Sequence, residues 1–572
     1  MGKHVRGAVG ATQRRGHQPH HHHRLLRVRS RGLQLRLAVD HEEYRSRALS
    51  TIAPVLLHHP GGVLTMRTRR FAVAAGLLAL GACNFDVLNT NQPTLDDLLN
   101  HPTRSKVATV ATGLFAGARS DIQAFIWRAG SMGREGINLS GNNQPDFQEP
   151  YFGPVQGGGS FGGTLYIGRY ANIRTANVLL TMVAKTPDAS ADPVQGMSPV
   201  DRAASRGMAN TLKALAFMYV VELRAQLGAP VDVDISIDAA PAAFVSEDSI
   251  YRYIIGLLDS ARTDLVRADT FPFPFSIPPG FSAAAFNSLD FSRPAKFIAF
   301  NRALAAKANV LRATDGTACK GNAAACYSAA LTALGTSYLS VAPADLQSGA
   351  YFDFSSGQGD VTNGLSEPLN ALTFFALTDN IADADTQPVP GGVKDQRVLD
   401  KIAPSTETQS ALLGSIPIPG TLKFTLYMTN GTADEGHPIP IIKDEELLLL
   451  RAEASWFTGN HAQALSDLNT VRQNSGKLAA TTVTTADADA VFLTALMYER
   501  RYSLLWEQGT RWIDARRFGR LSDIPTDIPP SFGTPGRVPS VMPIPKSECD
   551  ARNLVSSEVI PGVVTCTPSL IP

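Results

Sequence analysis

Glu499-Arg-Arg-Tyr-Ser-Leu-Leu-Trp-Glu-Gln-Gly-Thr-Arg-Trp-Ile-Asp-Ala-Arg-Arg-Phe-Gly519 reads as a helix, a glycine break and a second helix. Leu496, Arg500, Ser503 and Glu507 recur at three- and four-residue steps and therefore share one face. Gly509 is able to take the left-handed conformation that ends a helix, which leaves Thr510 to cap the next one. Two tryptophans stand here among five arginines and three acids, a composition that does not suit an open surface. The stretch is built to be buried, with its charges paired beneath the aromatic rings. The four-residue step from Glu507 to Arg511 points to one such pair, within a structural network that also takes in Arg500 and Asp514.

Immediately upstream, Glu446 to Asn474 reads as a helical hairpin. Leu447, Leu450, Ala454 and Phe457 form one apolar stripe, Gly459-Asn460 is the turn, and Ala464, Leu468 and Val471 form the returning stripe. Counted from Ala464, Ala452 lies twelve residues back, Gly459 five back and Leu468 four on. That small, Gly, small, large spacing is that of a tetratricopeptide helix pair, although Ala-rich helix pairs can imitate it. Further helical stretches are expected at Ser105 to Met132, Leu165 to Ala184, Pro199 to Leu227, Ser246 to Ala268, Arg293 to Arg312 and Ala323 to Leu334. Phe271-Pro-Phe-Pro-Phe-Ser-Ile-Pro-Pro-Gly280 has too many prolines for a helix and is read as an extended connector. The fold class that follows is mainly all-α: a tetratricopeptide-like right-handed stack of helix pairs, with long loops and a few short strands packed over it. Two loop regions interrupt the stack, residues 133–163 and residues 338–438.

The first 65 residues have no persistent period. They hold nine of the twelve histidines and eleven Lys or Arg against three acids, whereas Met66 opens a fresh pattern. Arg67, Arg69 and Arg70 precede the twelve-residue apolar run Phe71 to Ala82, which is too short to span a bilayer and is followed by Cys83. Leu80-Gly81-Ala82-Cys83 resembles a lipobox. Residues 1–65 are therefore expected to be a mis-assigned, disordered extension, residues 66–82 a lipoprotein signal peptide, and residues 83–572 the functional domain with Cys83 as its lipidated residue. From Cys83 onward 38 basic residues face 48 acids, a balance that speaks against nucleic acid as a partner. The remaining cysteines fall into two local pairs, Cys319 with Cys326 and Cys549 with Cys566. Four cysteines allow three connectivities, of which proximity favours these two bridges. No histidine accompanies either pair, so neither reads as a zinc site.

Three groups occur in order near the C-terminus. They are Ile439-Pro-Ile-Ile-Lys-Asp-Glu-Glu-Leu-Leu-Leu-Leu-Arg-Ala-Glu-Ala454 with Ala464 to Arg472, then Glu499-Arg500-Arg501 with Glu507-Gln-Gly509, Arg511 and Asp514, then Pro543-Ile-Pro545 before Glu548. Together, over residues 437–546, they resemble the C-terminal signature of the SusD/RagB family of nutrient-binding outer-membrane lipoproteins. The chain departs in having Gln508 after Glu507 and Phe518 where a Trp is common. The resemblance implies a lipid-anchored, cell-surface protein of the outer membrane that binds a glycan or oligosaccharide, sometimes a peptide. It also implies a SusC-like TonB-dependent transporter barrel as partner and no catalysis. Arg169-Tyr-Ala-Asn-Ile-Arg-Thr-Ala-Asn177 resembles an inner packing helix of the family, which implies structural roles for Asn172 and Asn177.

Within 133–163, aromatic rings alternate with planar polar groups, the pair of surfaces that a sugar requires. Trp127, Arg134, Asn138, Asn142, Asn143, Asp146, Tyr151 and Phe152 are the expected ligand-binding residues; a polar loop packing its own aromatics is the alternative. No cofactor or metal is expected. Asp379, Asp383 and Asp385 cluster oxygens but fit no standard calcium loop. Hydrolase and phosphate-loop motifs are absent from the sequence, and from Cys83 onward only His101, His437 and His461 remain. Glu499, Glu507 and Asp514 lie among arginines that are expected to depress their pKa values. Two rival readings stand beside the binder: a periplasmic tetratricopeptide scaffold for a protein partner, and a lipid-anchored glycosidase.

Overall fold

Ser198-Pro199-Val200-Asp201 opens the longest described helix. In the computed structural model the Ser198 hydroxyl accepts from the Asp201 N–H at 3.1 Å, and the Asp201 carboxylate accepts from the Ser198 N–H at 3.2 Å. Pro199 fills the first helical position, where no N–H is needed. The helix runs to Arg224 and is buried over nearly its whole length because other helices cover it. The structure describes residues 94–140, 144–236, 238–315, 318–413, 416–526, 538–566 and 570–571. The expectations for residues 1–65, the signal segment 66–82, Cys83, Asn142, Asn143 and the side chain of Phe152 lie outside the described residues.

The helices in chain order begin with α1 (Leu95–Asn100), α2 (Arg104–Ala118), α3 (Ile122–Met132), α4 (Gln144–Phe152) and α5 (Thr164–Lys185). Next come α6 (Pro199–Arg224), α7 (Glu247–Ala268), α8 (Pro294–Ala313) and α9 (Ala323–Leu334). Two short helices, α10 (Asp379–Ala382) and α11 (Gln396–Lys401), precede α12 (Asp444–Phe457), α13 (His461–Asn474), α14 (Asp489–Ser503), α15 (Thr510–Arg517) and α16 (Lys546–Ala551). Packing follows the chain: α5 on α6, α6 on α7, α7 on α8, α8 on α9, then α9 on α12 and α12 on both α13 and α14. The stack of helix pairs is thus present. In the hairpin of α12 and α13 the small residues Ala452 and Ala464 and the larger Leu468 are all fully buried in one apolar cluster with Trp456 and Phe492. Ser246 accepts from the Ser249 N–H to cap α7, and Phe273 of the Pro-rich connector is buried against Phe297.

Ser105 to Met132 is not one helical stretch. Asp121, at φ 60°, splits it into α2 and α3, a break hidden from the sequence because apolar residues continue through both helices. The loop regions are also more regular than expected. Residues 133–163 contain the strand Gly136–Asn138, α4 and the strand Val155–Gln156. Residues 338–438 hold a two-stranded antiparallel ribbon of Ile402–Leu413 with Ile416–Phe424, 12 and 9 residues long. Pro404, Pro417 and Pro419 look like loop punctuation in sequence, but in a ribbon of two strands both are edge strands, on which alternate N–H groups face away from the partner and proline is tolerated. Gly136–Asn138 pairs antiparallel with Phe374–Ala376, which joins the two regions to each other. Cys319–Cys326 and Cys549–Cys566 are disulfides, with Cα atoms 6.1 and 5.8 Å apart. No described helix is long and apolar enough to cross a membrane.

The decisive C-terminal stretch is two helices, but its joint differs from the expectation. Helix α14 ends at Ser503, and Gly509, at φ 63°, itself occupies the position before α15, so Thr510 is helical and not the cap. The cap comes from far away. Glu135 accepts from the Trp506 N–H at 2.9 Å and from the Arg511 N–H at 3.3 Å, satisfying donors that the turn leaves free. Arg500 meets Asp514 at 2.7 Å, and Arg517 meets both Asp514 and Glu453. Glu507 does not pair with Arg511: Lys401 and Lys443 each reach it at 2.9 Å, while Arg511 donates to the Arg134 carbonyl. Helical spacing could not reveal this, since Glu507 lies beyond the end of α14.

Against the burial that would raise it, Arg500 and Arg517 hold the Asp514 carboxyl below its ordinary range. Glu499 corrects the expectation, because burial raises it by more than Arg397 and Arg472 lower it. Asp383 and Asp385 pair with Arg501 and Arg472, at 2.9 and 2.6 Å. Asn172 and Asn177 are buried inside α5.

Candidate functional site

The corner between α2 and α3 presents Arg119, Ser120, Asp121 and, at the second position of α3, Gln123. Opposite stands the segment 353–374, and side chains from the corner hold it in place. The Arg119 guanidinium donates to the Asp353 carbonyl and the Asp360 carboxylate. The Gln123 amide donates to the Thr362 carbonyl at 2.7 Å and accepts from the Gly364 N–H at 2.9 Å. Phe374, at the end of the segment, is fixed by its strand partner Asn138.

Between corner and segment lies a cleft of about 680 Å³. Trp127, Phe354 and Phe374 give it apolar walls, and Arg119, Ser120, Asp121 and Gln123 give it polar ones. Phe161 and Phe374 both lie 5.9 Å from the Trp127 ring, and the Arg128 guanidinium lies 4.9 Å from it. The Trp127 ring is thus clamped before any ligand arrives. Arg119 and Gln123 are engaged with the segment, and Trp127 and Phe354 are buried, so the Asp121 carboxylate, the Ser120 hydroxyl and the part-exposed Phe374 ring are the groups left for the hydroxyls and C–H face of a sugar. The volume lies within the range of small-ligand clefts.

A second cleft, of about 710 Å³, opens onto the ionic network. Its floor carries Lys401, Lys443, Glu445 and Glu507, and Tyr351 and Tyr427 also line it. The charged groups of this floor are engaged with one another: besides the two lysines on Glu507, the Ser503 hydroxyl donates to Glu445 at 2.7 Å and Lys401 donates to the Ser503 carbonyl at 2.7 Å. The first cleft, whose Ser120 is exposed, is the better candidate for a polar ligand.

The expected ligand residues divide between these surroundings. Trp127 lines the first cleft. Arg134, Asn138, Asp146 and Tyr151 come together elsewhere, in a closed cluster where each is at least nine-tenths buried. Arg134 donates to the Ser131 and Pro150 carbonyls at 3.0 and 2.9 Å and lies 4.0 Å from the centre of the Tyr151 ring. Asn138 donates to Asp146 at 3.2 Å and accepts from the Ser140 N–H at 3.0 Å. These bonds fold 133–163 back on itself around Ile137, Phe147 and Phe375, so the four residues present no open face to a ligand. Beside them, burial pushes the Glu149 carboxyl up to about 7. Sequence reading missed Arg119, Asp121, Gln123, Phe354 and Phe374. The first three sit inside an apparently continuous helix, and the last two become neighbours only through long-range pairing.

The C-terminal third carries a further signal. Residues 420–552 match the model of the SusD family. That stretch is similar to the SusD family. Solved structures share the fold over most of the chain's length. A SusD superfamily protein from Bacteroides thetaiotaomicron is 16% identical with a TM-score of 0.56, over 82% of this chain and 100% of that one. A SusD-like carbohydrate binding protein from Bacteroides fragilis is 14% identical with a TM-score of 0.55, over 80% and 99%. A laminarin binding SusD-like protein is 16% identical with a TM-score of 0.53, over 80% and 100%. At such identities the likeness establishes the fold alone. No curated protein matches the chain.

Proposed function

We propose that this chain is a member of the SusD family and a lipid-anchored protein of the outer-membrane surface. It binds a glycan or oligosaccharide without transforming it and passes it to a TonB-dependent transporter barrel. The single observation that carries the binding is the cleft lined by Ser120, Asp121 and Phe374 beside the clamped Trp127. The family match supports the reading, as does the description of two structural neighbours as carbohydrate binding and laminarin binding. Glycoside hydrolysis takes a pair of carboxyl groups across the bond to be cut. The described lining of the cleft carries one carboxylate, Asp121, and the neighbouring Asp360 is held by Arg119. That lining favours the binding reading over cleavage.

Lipid attachment at Cys83 and delivery to a transporter are part of the same proposal; they rest on the lipobox-like Leu80-Gly81-Ala82-Cys83 and on the family. A polysaccharide panel tests the proposal. Saturable binding of at least one glycan with no release of reducing ends is expected. Release of reducing ends would make the chain a glycosidase, and the absence of any glycan ligand would remove the reading. Mass spectrometry of the exported N-terminus is expected to find acylated Cys83.

A further inference from the structure

Arg224, at the C-terminal end of α6, is 2% exposed, and its Nε and Nη2 have no hydrogen-bond partner among the described residues. Rings lie against it instead: Tyr166 at 5.2 Å and Phe244 at 4.9 Å from the guanidinium carbon. The Tyr166 hydroxyl is also buried without a partner. Both residues line a cleft of about 330 Å³, separate from the one described above. The acid in this cleft, Glu548, is held by Arg552 at 2.6 Å. Tyr170, Pro230, Val233 and Pro545 make the walls, and Ile167 and Ile235, 66% and 43% exposed, stand at the mouth.

A buried donor left unpaired costs about 1–3 kcal/mol and a charged one more. The two open positions are specific as well, since Nε–H and Nη2–H form one edge of the guanidinium. This protein uses that edge to grip carboxylates elsewhere. Arg206 takes Asp264 through Nε at 3.1 Å and Nη2 at 2.7 Å, and Arg451 takes Asp467 through the same atoms at 2.7 and 2.6 Å. At Arg224 the edge is preserved and the acid is missing. A cavity of about 150 Å³ holds benzene, so twice that volume holds a ring with a short acid arm.

We propose that this cleft binds a small aromatic carboxylate. Its acid group lies on Nε and Nη2 of Arg224 and accepts from the Tyr166 hydroxyl, and its ring lies against Tyr170 between Ile167 and Ile235. The fork geometry is the strong form of carboxylate recognition, and burial excludes competing water. The site is independent of the glycan cleft and does not rest on it.

Calorimetric titration of the full chain with trans-cinnamate, and with cinnamyl alcohol as the uncharged counterpart, tests this. Cinnamate is expected to saturate one site, with the alcohol at least about tenfold weaker, and Arg224→Met is expected to erase that preference. Since Arg224 is buried, Ile167→Glu at the exposed mouth provides a second reading. It is expected to weaken cinnamate by about tenfold at an unchanged melting temperature. Absence of saturable cinnamate binding, equal binding of acid and alcohol, or indifference to Ile167→Glu would each overturn the proposal.

Discussion

Arg517 grips Glu453 through two parallel bonds, Nη1 to Oε1 at 2.6 Å and Nη2 to Oε2 at 2.7 Å, while its Nε takes Asp514 at 2.7 Å. The pair ties α15 to α12, and Tyr327 from α9 donates to the same carboxylate at 3.1 Å. Three helices thus meet at one buried acid. Removing one member leaves the other charged and dry, so Glu453→Ala is expected to cost about 3–5 kcal/mol in urea unfolding. Arg517→Met is expected to cost a similar amount, and the double variant less than the sum. A loss below about 1 kcal/mol for both single variants would show that the network does not hold the helices.

Close approach of backbone to ring explains another position. A Cβ at Gly136 would lie 2.6 Å from Cζ3 of Trp506 and 2.7 Å from Cε2 of Phe424. Those rings stack on each other at 4.2 Å and have no room to retreat. Gly136→Ala is expected to destabilise by about 1–3 kcal/mol, with a changed near-UV circular dichroism spectrum from Trp506. A variant as stable as the parent would place Trp506 elsewhere.

Burial pushes the Asp444 carboxyl up to about 7, even though it accepts from the Ser340 N–H at 2.7 Å. An unfolded aspartate titrates near 3.9, by the reference value of about 3.9. Between these two values the folded chain keeps a proton that the unfolded chain releases, so Asp444 lowers stability as pH rises from about 4 to about 7. Asp444→Asn removes that dependence. Chemical denaturation is expected to show little difference from the parent at pH 4 and a gain on the order of 2 kcal/mol at pH 8. An equal effect at both pH values would contradict the assignment.

Cys549–Cys566 closes a loop with a sequence separation of 17 and fastens α16 to the strand Val563–Cys566, which runs beside Val155–Gln156. The double Ser variant is expected to lose about 3 kcal/mol, the value for a loop of about 15 residues. Thermal unfolding with and without reductant checks this. The parent is expected to melt earlier in reductant, and the variant is not expected to respond through this pair.

How far the sequence could be read follows from the range of each interaction. The stripes of α12 and α13 are local, and the residues named for them are the ones that pack. Glu507 was misassigned because the lysines that neutralise it lie 64 and 106 residues away, at Lys443 and Lys401. Thr510 was misassigned because Glu135, remote in sequence, caps α15. The ligand residues failed in part for the same reason. Asn138 and Asp146 satisfy each other, and a polar pair facing inward has the same composition as one facing a sugar. Trp127, midway along α3, lines the first cleft, and its role in binding belongs to the proposal.

The central claim is that the corner of α2 and α3 holds the ligand. Its most direct test is calorimetric titration of a glycan that the chain binds, comparing the parent with Ser120→Ala and with Asp121→Asn, which tolerates the left-handed backbone at that position. We expect each variant to keep the parent melting temperature to within a few degrees, by the usual scale of about 2–4 °C per kcal/mol. We also expect each to weaken the glycan by about tenfold, the loss of about one good hydrogen bond to a desolvated ligand. Unchanged affinity in both variants, with the fold intact, would contradict the account and move the ligand to another face.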